Sequence, residues 1–82
     1  MTRAEVDALV VEQIDQAERR YGDFTSTHEG LGVLIEELRE LEDAIRANAT
    51  ESVRLEAIQI AAVATRLAYA MSAETTRRRS VK

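Results

Sequence analysis

The amino-acid sequence predicts an all-α fold, a three-helix antiparallel bundle that assembles into a larger homo-oligomeric helical bundle. The chain has 82 residues with no proline and three glycines, so few positions interrupt a helix. Apolar residues recur at spacings of three and four in three stretches, with short polar connections between them. This length corresponds to one domain. We place the domain at residues 1–76, followed by a basic flexible tail at residues 77–82.

The first helix is predicted from Thr2 to about Arg20. Thr2 and Glu5 have the spacing of a capping box, in which each side chain accepts a hydrogen bond from the other residue's backbone N–H. Residues 21–26 interrupt the pattern, and Gly22 can take the positive φ that ends a helix. Apolar residues recur at helical spacing up to Tyr21: Val6, Leu9, Val10, Ile14, Ala17 and Tyr21.

The second helix is predicted from Thr27 to Ala47. Ser26 and Glu29 form a second capping box at its start, and Asn48 suits its end. The short connection to Thr50 predicts that helices two and three are antiparallel neighbours. One side of helix two carries an apolar stripe, which we expect to lie in the core: Leu31, Leu34, Ile35, Leu38, Leu41 and Ile45.

The third helix is predicted from about Glu51 to Thr75, and it is apolar on two sides. A helix of this kind is buried between layers. Two other helices cannot easily cover both sides within one subunit, so we expect a homo-oligomer with helix three in its interface. The first stripe is Val53, Ile60, Val63, Ala64, Leu67 and Met71, and the second, nearly opposite, is Leu55, Ile58, Ala62 and Tyr69.

Composition excludes several classes of function. The chain has no cysteine, which excludes disulfides and thiolate sites. A net charge of −4 argues against non-specific binding of nucleic acid, and we expect no specific nucleic-acid partner. No apolar run approaches the roughly 18 residues of a membrane span, and the N-terminus lacks the apolar region of a signal peptide. We therefore expect a cytoplasmic protein with no membrane partner.

Helix two carries an acidic sequence, Glu36-Glu37-Leu38-Arg39-Glu40. Glu36 and Glu40 fall together opposite the apolar stripe, and Glu37 falls at its margin. Like charges one turn apart repel by a few tenths of a kcal/mol per pair. A divalent cation such as Mg²⁺ would remove that cost, because it binds carboxylate oxygens. The alternative is a solvated acidic face.

Glu56 lies within the first apolar stripe of helix three. An acid on a core face is costly unless it is paired, protonated or bound to a metal. A buried partner such as Arg54 or Arg66 is therefore the alternative to a metal. Gln59 follows one turn later, at the edge of the same stripe.

His28 lies in the first turn of helix two. The free amides and positive dipole of a helix N-terminus make a plausible anion site. His28 either makes a surface or capping contact or binds a substrate phosphate or base.

The two acidic segments together resemble the MazG-like all-α nucleoside triphosphate pyrophosphatases, especially the short versions carried by phages. That family has a Glu-Glu-x-x-Glu helix followed by a helix with Glu-x-x-Asp. Here the segments are Glu36-Glu37-Leu38-Arg39-Glu40 and Glu56-Ala57-Ile58-Gln59. The Tyr-Gly-Asp-Phe loop and the Ser-Thr-His-Glu-Gly segment before them are also similar to the phage versions. The resemblance extends from Tyr21 to about Tyr69.

The resemblance implies hydrolysis of a nucleoside triphosphate to a monophosphate and pyrophosphate, with Mg²⁺ or Mn²⁺ as cofactor. It implies a dimer or tetramer, located in the host cytoplasm if the protein is phage-encoded. The expected metal ligands are Glu37, Glu40 and Glu56. Glu36 completes the predicted catalytic set, and the predicted substrate contacts are His28, Arg54 and Gln59.

This chain departs from the family pattern at Gln59, where the family has aspartate. Glutamine brings no negative charge and cannot act as a base. Two other functions therefore stay open. One is a non-catalytic nucleotide-binding protein of the same fold, such as a phage protein that sequesters a nucleotide signal. The other is a structural helical adaptor.

Overall fold

The computed structural model describes the backbone of residues 1–81 and the side chains of residues 1–70. It contains three helices, α1 (Arg3–Tyr21), α2 (Thr27–Arg46) and α3 (Thr50–Val81), which confirms the all-α prediction. Helix α3 continues beyond the predicted end near Thr75, because no glycine or proline follows to stop it. The side chains of the predicted basic tail, residues 77–82, lie outside the described ones.

The helix ends form largely as the capping residues predict. At α1, the Glu5 N–H donates to Thr2 Oγ1 at 3.2 Å and the Thr2 N–H donates to Glu5 Oε1 at 2.9 Å. At α2, the Glu29 N–H donates to Ser26 Oγ. The Glu29 carboxylate accepts from the N–H of Thr25, so it reaches one residue further back than a capping box requires.

Helices α1 and α2 both end near a residue with positive φ. Gly22 has φ 73° and ψ −164°, which glycine adopts at lower cost than residues with a side chain, and Asn48 has φ 55°, which asparagine tolerates better than most residues. Asn48 ends α2 two residues before α3 begins at Thr50. Such a short connection brings α3 back beside α2.

Helix α3 packs against both α1 and α2, whereas no Cα atom of α1 lies within 8 Å of a Cα atom of α2 among the described residues. Three side-chain hydrogen bonds join α3 to α1 and its C-terminal cap. Gln59 donates to Gln13, Arg66 to the Gly22 carbonyl, and the Tyr69 hydroxyl to Glu18. The space between α1 and α2 forms a cleft whose floor is α3.

The face of α2 that meets α3 carries small residues and differs from the predicted apolar stripe. Gly30 and Ala44 are the buried residues of α2. They lie about four turns apart on the same side of α2, and Glu37 lies midway between them, about two turns from each. A methyl group at Gly30 would lie 2.6 Å from Leu67 Cδ1, so glycine permits the close approach of α3.

The prediction of a leucine-rich core in α2 was therefore partly wrong. Leu38 is 56% exposed and Ile45 55% exposed, and Leu31 and Ile35 are also exposed. Leu34 and Leu41 are half-buried. The periodicity located the apolar side of α2 correctly, but α3 covers only one edge of it.

The second stripe of α3 also needs correction, because two of its members are buried within the chain. Ile58 is 5% exposed and Ala62 is 3% exposed, whereas Leu55 and Tyr69 are exposed. Ile58 and Ala62 thus belong to the core of the subunit and are unavailable to a partner. The buried apolar side chains among the described residues are Ala44, Ile58, Ala62 and Val63.

None of the helices, over their described residues, combines the length and apolar character needed to cross a lipid bilayer.

Candidate functional site

The cleft between α1 and α2 has a volume of about 750 Å³ and extends along α3. Its walls differ in charge from one end to the other. The acidic end carries Glu36, Glu37, Glu40 and Glu56, and the middle carries Gln13, Gln59, Ala62 and Val63. The opposite end carries Arg20, Phe24 and Arg66, together with the acids Asp23 and Glu29.

Three carboxylates converge at the acidic end. Glu37, Glu40 and Glu56 each offer one oxygen, and these oxygens all lie within 4.8 Å of one another. Glu37 and Glu40 are one turn apart on α2, and Glu56 faces them from α3. We call this group the Glu37–Glu40–Glu56 cluster. It unites the three residues that the sequence pattern predicts as metal ligands.

Two oxygens of the cluster have no hydrogen-bond partner. Glu37 Oε2 and Glu56 Oε2 are both buried, and no described donor reaches them. A buried polar atom without a partner costs free energy, and three neighbouring negative charges add repulsion. The cluster therefore lacks a compensating positive charge and hydrogen-bond donors among the described residues. A bound cation would supply the charge, and its water ligands would supply the donors.

The crowding of the carboxylates raises the pKa of two of them. A hydrogen bond shared with the Glu56 side chain, which requires a proton on one of the two carboxyl groups, raises the pKa of Glu40, and the negative charges of Glu56 and Glu36 act in the same direction. Burial raises the pKa of Glu56, and a hydrogen bond with Glu37 adds to this effect. Without a cation, the cluster therefore holds a proton more strongly than isolated glutamates do.

Neither arginine considered as a partner for Glu56 is paired with it. Arg54 forms its ion pair with Glu51, one turn earlier on α3. Arg66 donates to the carbonyl of Gly22 at 2.9 Å. Among the described side chains, Glu56 thus lacks the buried ion pair that would have explained an acid on this face.

The cluster is close to the size that one Mg²⁺ requires. Mg²⁺ binds oxygens at about 2.1 Å, so two ligands of one ion lie at most about 4.2 Å apart. The observed upper limit is 4.8 Å, and a small rotation of the exposed Glu40 side chain, with small shifts of the half-buried Glu37 and Glu56, can close the difference. Ca²⁺, with bonds of about 2.4 Å, fits the cluster without contraction.

The other predicted site residues are divided between the cleft and the surface. Glu36 is exposed and lines the cleft beside the cluster, and Gln59 lines it one turn from Glu56. Gln59 Nε2 donates to Gln13 Oε1 at 2.7 Å, so this side chain is held toward α1. His28 and Arg54 do not line the cleft, and their role in substrate binding stays a prediction.

Sequence reasoning did not assign Arg66 and Phe24 to the site. The Arg66 guanidinium lies 4.2 Å from the centre of the Phe24 ring. One signal was present in the sequence: Arg66 is one of three polar residues between Ile58 and Tyr69 on an otherwise apolar segment. Its place at the cleft depends on how the loop after α1 folds back over α3.

A comparison of the chain with protein-family models, curated proteins and solved structures finds no match. The fold and the cleft define an all-α protein with a converging group of carboxylates. The resemblance to the MazG-like family stays a prediction based on the two acidic segments.

Proposed function

We propose that this protein is a MazG-like nucleotide-binding protein and a Mg²⁺-dependent nucleoside triphosphate pyrophosphohydrolase, with Mn²⁺ as an alternative cofactor. One observation carries the proposal. Carboxylates from two helices converge within 4.8 Å at the positions of the family motif. Two of their oxygens are buried without a partner, and a structural role leaves that cost unexplained.

The cluster supplies the ligands, and each side chain has a distinct role. Glu37, Glu40 and Glu56 hold the cation, which when bound neutralises the triphosphate oxygens and polarises the linkage between the α and β phosphorus atoms. Glu36 lies on the rim of the cleft outside the cluster. It is therefore free to accept the proton from the water that attacks the phosphorus.

The rest of the cleft suits a nucleoside. Its volume of about 750 Å³ lies within the range of small-molecule sites, roughly 300–1,000 Å³. Ala62 and Val63 form an apolar floor beyond the acids. Gln59 offers a carbonyl oxygen toward the ligand, and His28 and Arg54 are the predicted substrate contacts nearer the surface.

Self-association as a dimer or tetramer is part of the proposal. A chain of this length has a marginal core, and large apolar side chains stay exposed on α2 at Leu31, Leu38 and Ile45. We place the subunit interface on this face of α2 together with Leu55 of α3. Leu38→Glu should lower the mass measured by light scattering while the helix content stays constant. Ile58→Glu no longer tests assembly, because Ile58 is buried within the subunit.

The second candidate function is nucleotide binding without turnover, as in a phage protein that sequesters a nucleotide signal in the host cytoplasm. Gln59 favours it. The family has an acid there, whereas here the amide donates to Gln13, which fixes a neutral side chain between the cluster and α1. Such a cleft would hold cation and nucleotide but lack one charge for catalysis.

One experiment separates these functions from a purely structural adaptor. The protein is incubated with a panel of nucleoside triphosphates, with and without Mg²⁺, and both pyrophosphate release and free nucleotide are measured. Release supports the hydrolase, stoichiometric depletion without product supports the binding protein, and no response supports the adaptor.

Two variants refine that experiment. Glu56→Gln should abolish the Mg²⁺-dependent response, and Glu42→Gln, the same change on an exposed part of α2 outside the cleft, should preserve it. Gln59→Asp adds a charge beside the cluster and should tighten Mg²⁺ binding, with Gln13 rotating its amide to donate to the new carboxylate. If Gln59→Asp leaves the Mg²⁺ affinity unchanged, Gln59 lies outside the cation site.

A further inference from the structure

The end of the cleft opposite the acid cluster contains a buried cation. Arg66 is 5% exposed, and it is the buried charged residue among the described side chains. Its side chain lines the cleft. Arginine is seldom buried to this extent unless a partner compensates its charge, so its surroundings need an explanation.

The contacts of Arg66 satisfy only part of its guanidinium. Nη2 donates to the Gly22 carbonyl at 2.9 Å, and the guanidinium carbon lies 4.2 Å from the centre of the Phe24 ring. Nε is buried and has no hydrogen-bond partner. Within the described side chains, no carboxylate lies within 4.0 Å of Arg66.

A carbonyl and an aromatic face do not replace an anion. A buried charge is costly unless a counter-charge and hydrogen bonds accompany it. The acids nearby do not supply them: Glu29 accepts from the N–H of Thr25 at 2.9 Å, and Asp23 forms no ion pair with Arg66. Arg20, two residues before Gly22, lines the same end and adds positive charge.

We propose that Arg66, with Arg20 nearby, forms an anion-binding site for a phosphate group at this end of the cleft. A phosphate oxygen entering from the cleft would accept from guanidinium N–H groups that the Gly22 carbonyl does not occupy, and charge-assisted bonds of this kind are the stronger hydrogen bonds in proteins. The stacking on Phe24 and the bond to Gly22 hold the guanidinium in place before the anion arrives, which reduces the entropy lost on binding.

The position of Arg66 also indicates which class of nucleotide the cleft binds. This inference rests on the proposed function. Ten residues of α3 separate Glu56 from Arg66, or about 15 Å along the helix axis. A nucleotide whose cation-bound phosphate lies at the acid cluster would direct its ribose toward Arg66. The ligand is then a nucleotide that carries a second phosphate group on its ribose.

The anion site is tested first without any divalent cation. The N–H resonance of Arg66 Nε is followed by NMR while inorganic phosphate is added to the wild-type protein in EDTA, against chloride at equal ionic strength. We expect a saturable shift with phosphate that chloride does not produce. Absence of a shift, or an equal response to chloride, overturns the proposal, and this measurement needs no variant to fold.

Variants then separate the two ends of the cleft. Arg66→Gln should remove phosphate binding, and Glu56→Gln should preserve it while it removes the response to Mg²⁺. Circular dichroism establishes that each variant is folded, and if Arg66→Gln is unfolded the wild-type titration decides alone. If the wild-type protein shows no response to Mg²⁺, the proposed function is refuted but the proposed anion site is not.

The ligand class is tested with adenosine 3′,5′-bisphosphate against adenosine 5′-monophosphate in Mg²⁺. We expect the bisphosphate to bind at least about tenfold more tightly to the wild type, the lower limit for a hydrogen bond to a charged group. Arg66→Gln should abolish this difference. Equal affinities of the wild type for both nucleotides would refute a second phosphate in the ligand.

Discussion

Replacing Glu56 with glutamine tests the Glu37–Glu40–Glu56 cluster in two opposite ways. In EDTA near pH 8, Glu56→Gln removes a negative charge from a crowded group and provides an amide that can donate to a neighbouring carboxylate. The metal-free variant should therefore be as stable as the wild type or more stable. In Mg²⁺ the order should reverse, because the variant lacks one of the three oxygens that lie within 4.8 Å of one another.

The size of the expected effect follows from mass action. A cation that binds only the folded state, at ten times its dissociation constant, stabilises the protein by about 1.4 kcal/mol. For a domain of this size that corresponds to a rise in Tm of about 6–11 °C. The wild type should show this rise and Glu56→Gln should not.

The assay is thermal unfolding followed by circular dichroism, at one fixed protein concentration because assembly also shifts Tm. Mg²⁺, Mn²⁺ and Ca²⁺ are each titrated to saturation. Glu42→Gln is the matched control, since Glu42 is exposed on α2 outside the cleft and this variant should respond like the wild type. A wild-type Tm that no cation raises, or an undiminished rise in Glu56→Gln, would refute the reasoning.

Three further predictions concern pH and the glycines of α2. The folded state raises the pKa of Glu40 and Glu56 above the value of 4.5. The folded protein thus binds protons more strongly than the unfolded chain, and stability in EDTA should fall as pH rises above 4.5 through the folded pKa values. Urea unfolding at several pH values measures this decline, which Mg²⁺ should remove. Gly32→Ala should stabilise the protein by about 0.5–1 kcal/mol, because alanine is the better helix former and a methyl group there meets no described atom within 4 Å. Gly30→Ala should be less stable than Gly32→Ala by about 1–3 kcal/mol, since its methyl group would lie 2.6 Å from Leu67 Cδ1. Equal free energies of unfolding for the two variants in urea would contradict the close approach of α3 to Gly30.

The cluster could be predicted from the sequence because local rules place its members. Glu37 and Glu40 share a region of α2 through their three-residue spacing. The short connection at Asn48 brings α3 back beside α2, so Glu56 returns near them. These steps depend on helix geometry and on one turn, and they require no knowledge of contacts between residues far apart in the chain.

The end of the cleft that contains Arg66 could not be predicted in the same way. Arg66 meets Gly22 and Phe24, which are more than forty residues earlier in the chain. Its burial depends on how the loop between α1 and α2 folds over α3. The sequence marked Arg66 as a polar residue in an apolar segment and as a candidate buried partner of Glu56, which it is not.

The sequence alone determined the three helices and the capping residues at the starts of α1 and α2, because backbone hydrogen bonding and side-chain period are local properties. Only the tertiary structure decided which face of each helix is covered. Helix α3 packs on Gly30 and Ala44 of α2 and leaves Leu38 exposed, because small residues permit a close approach that the larger side chains prevent. Periodicity shows which residues share a side of a helix, but the shape of the neighbouring helix determines which of them are buried.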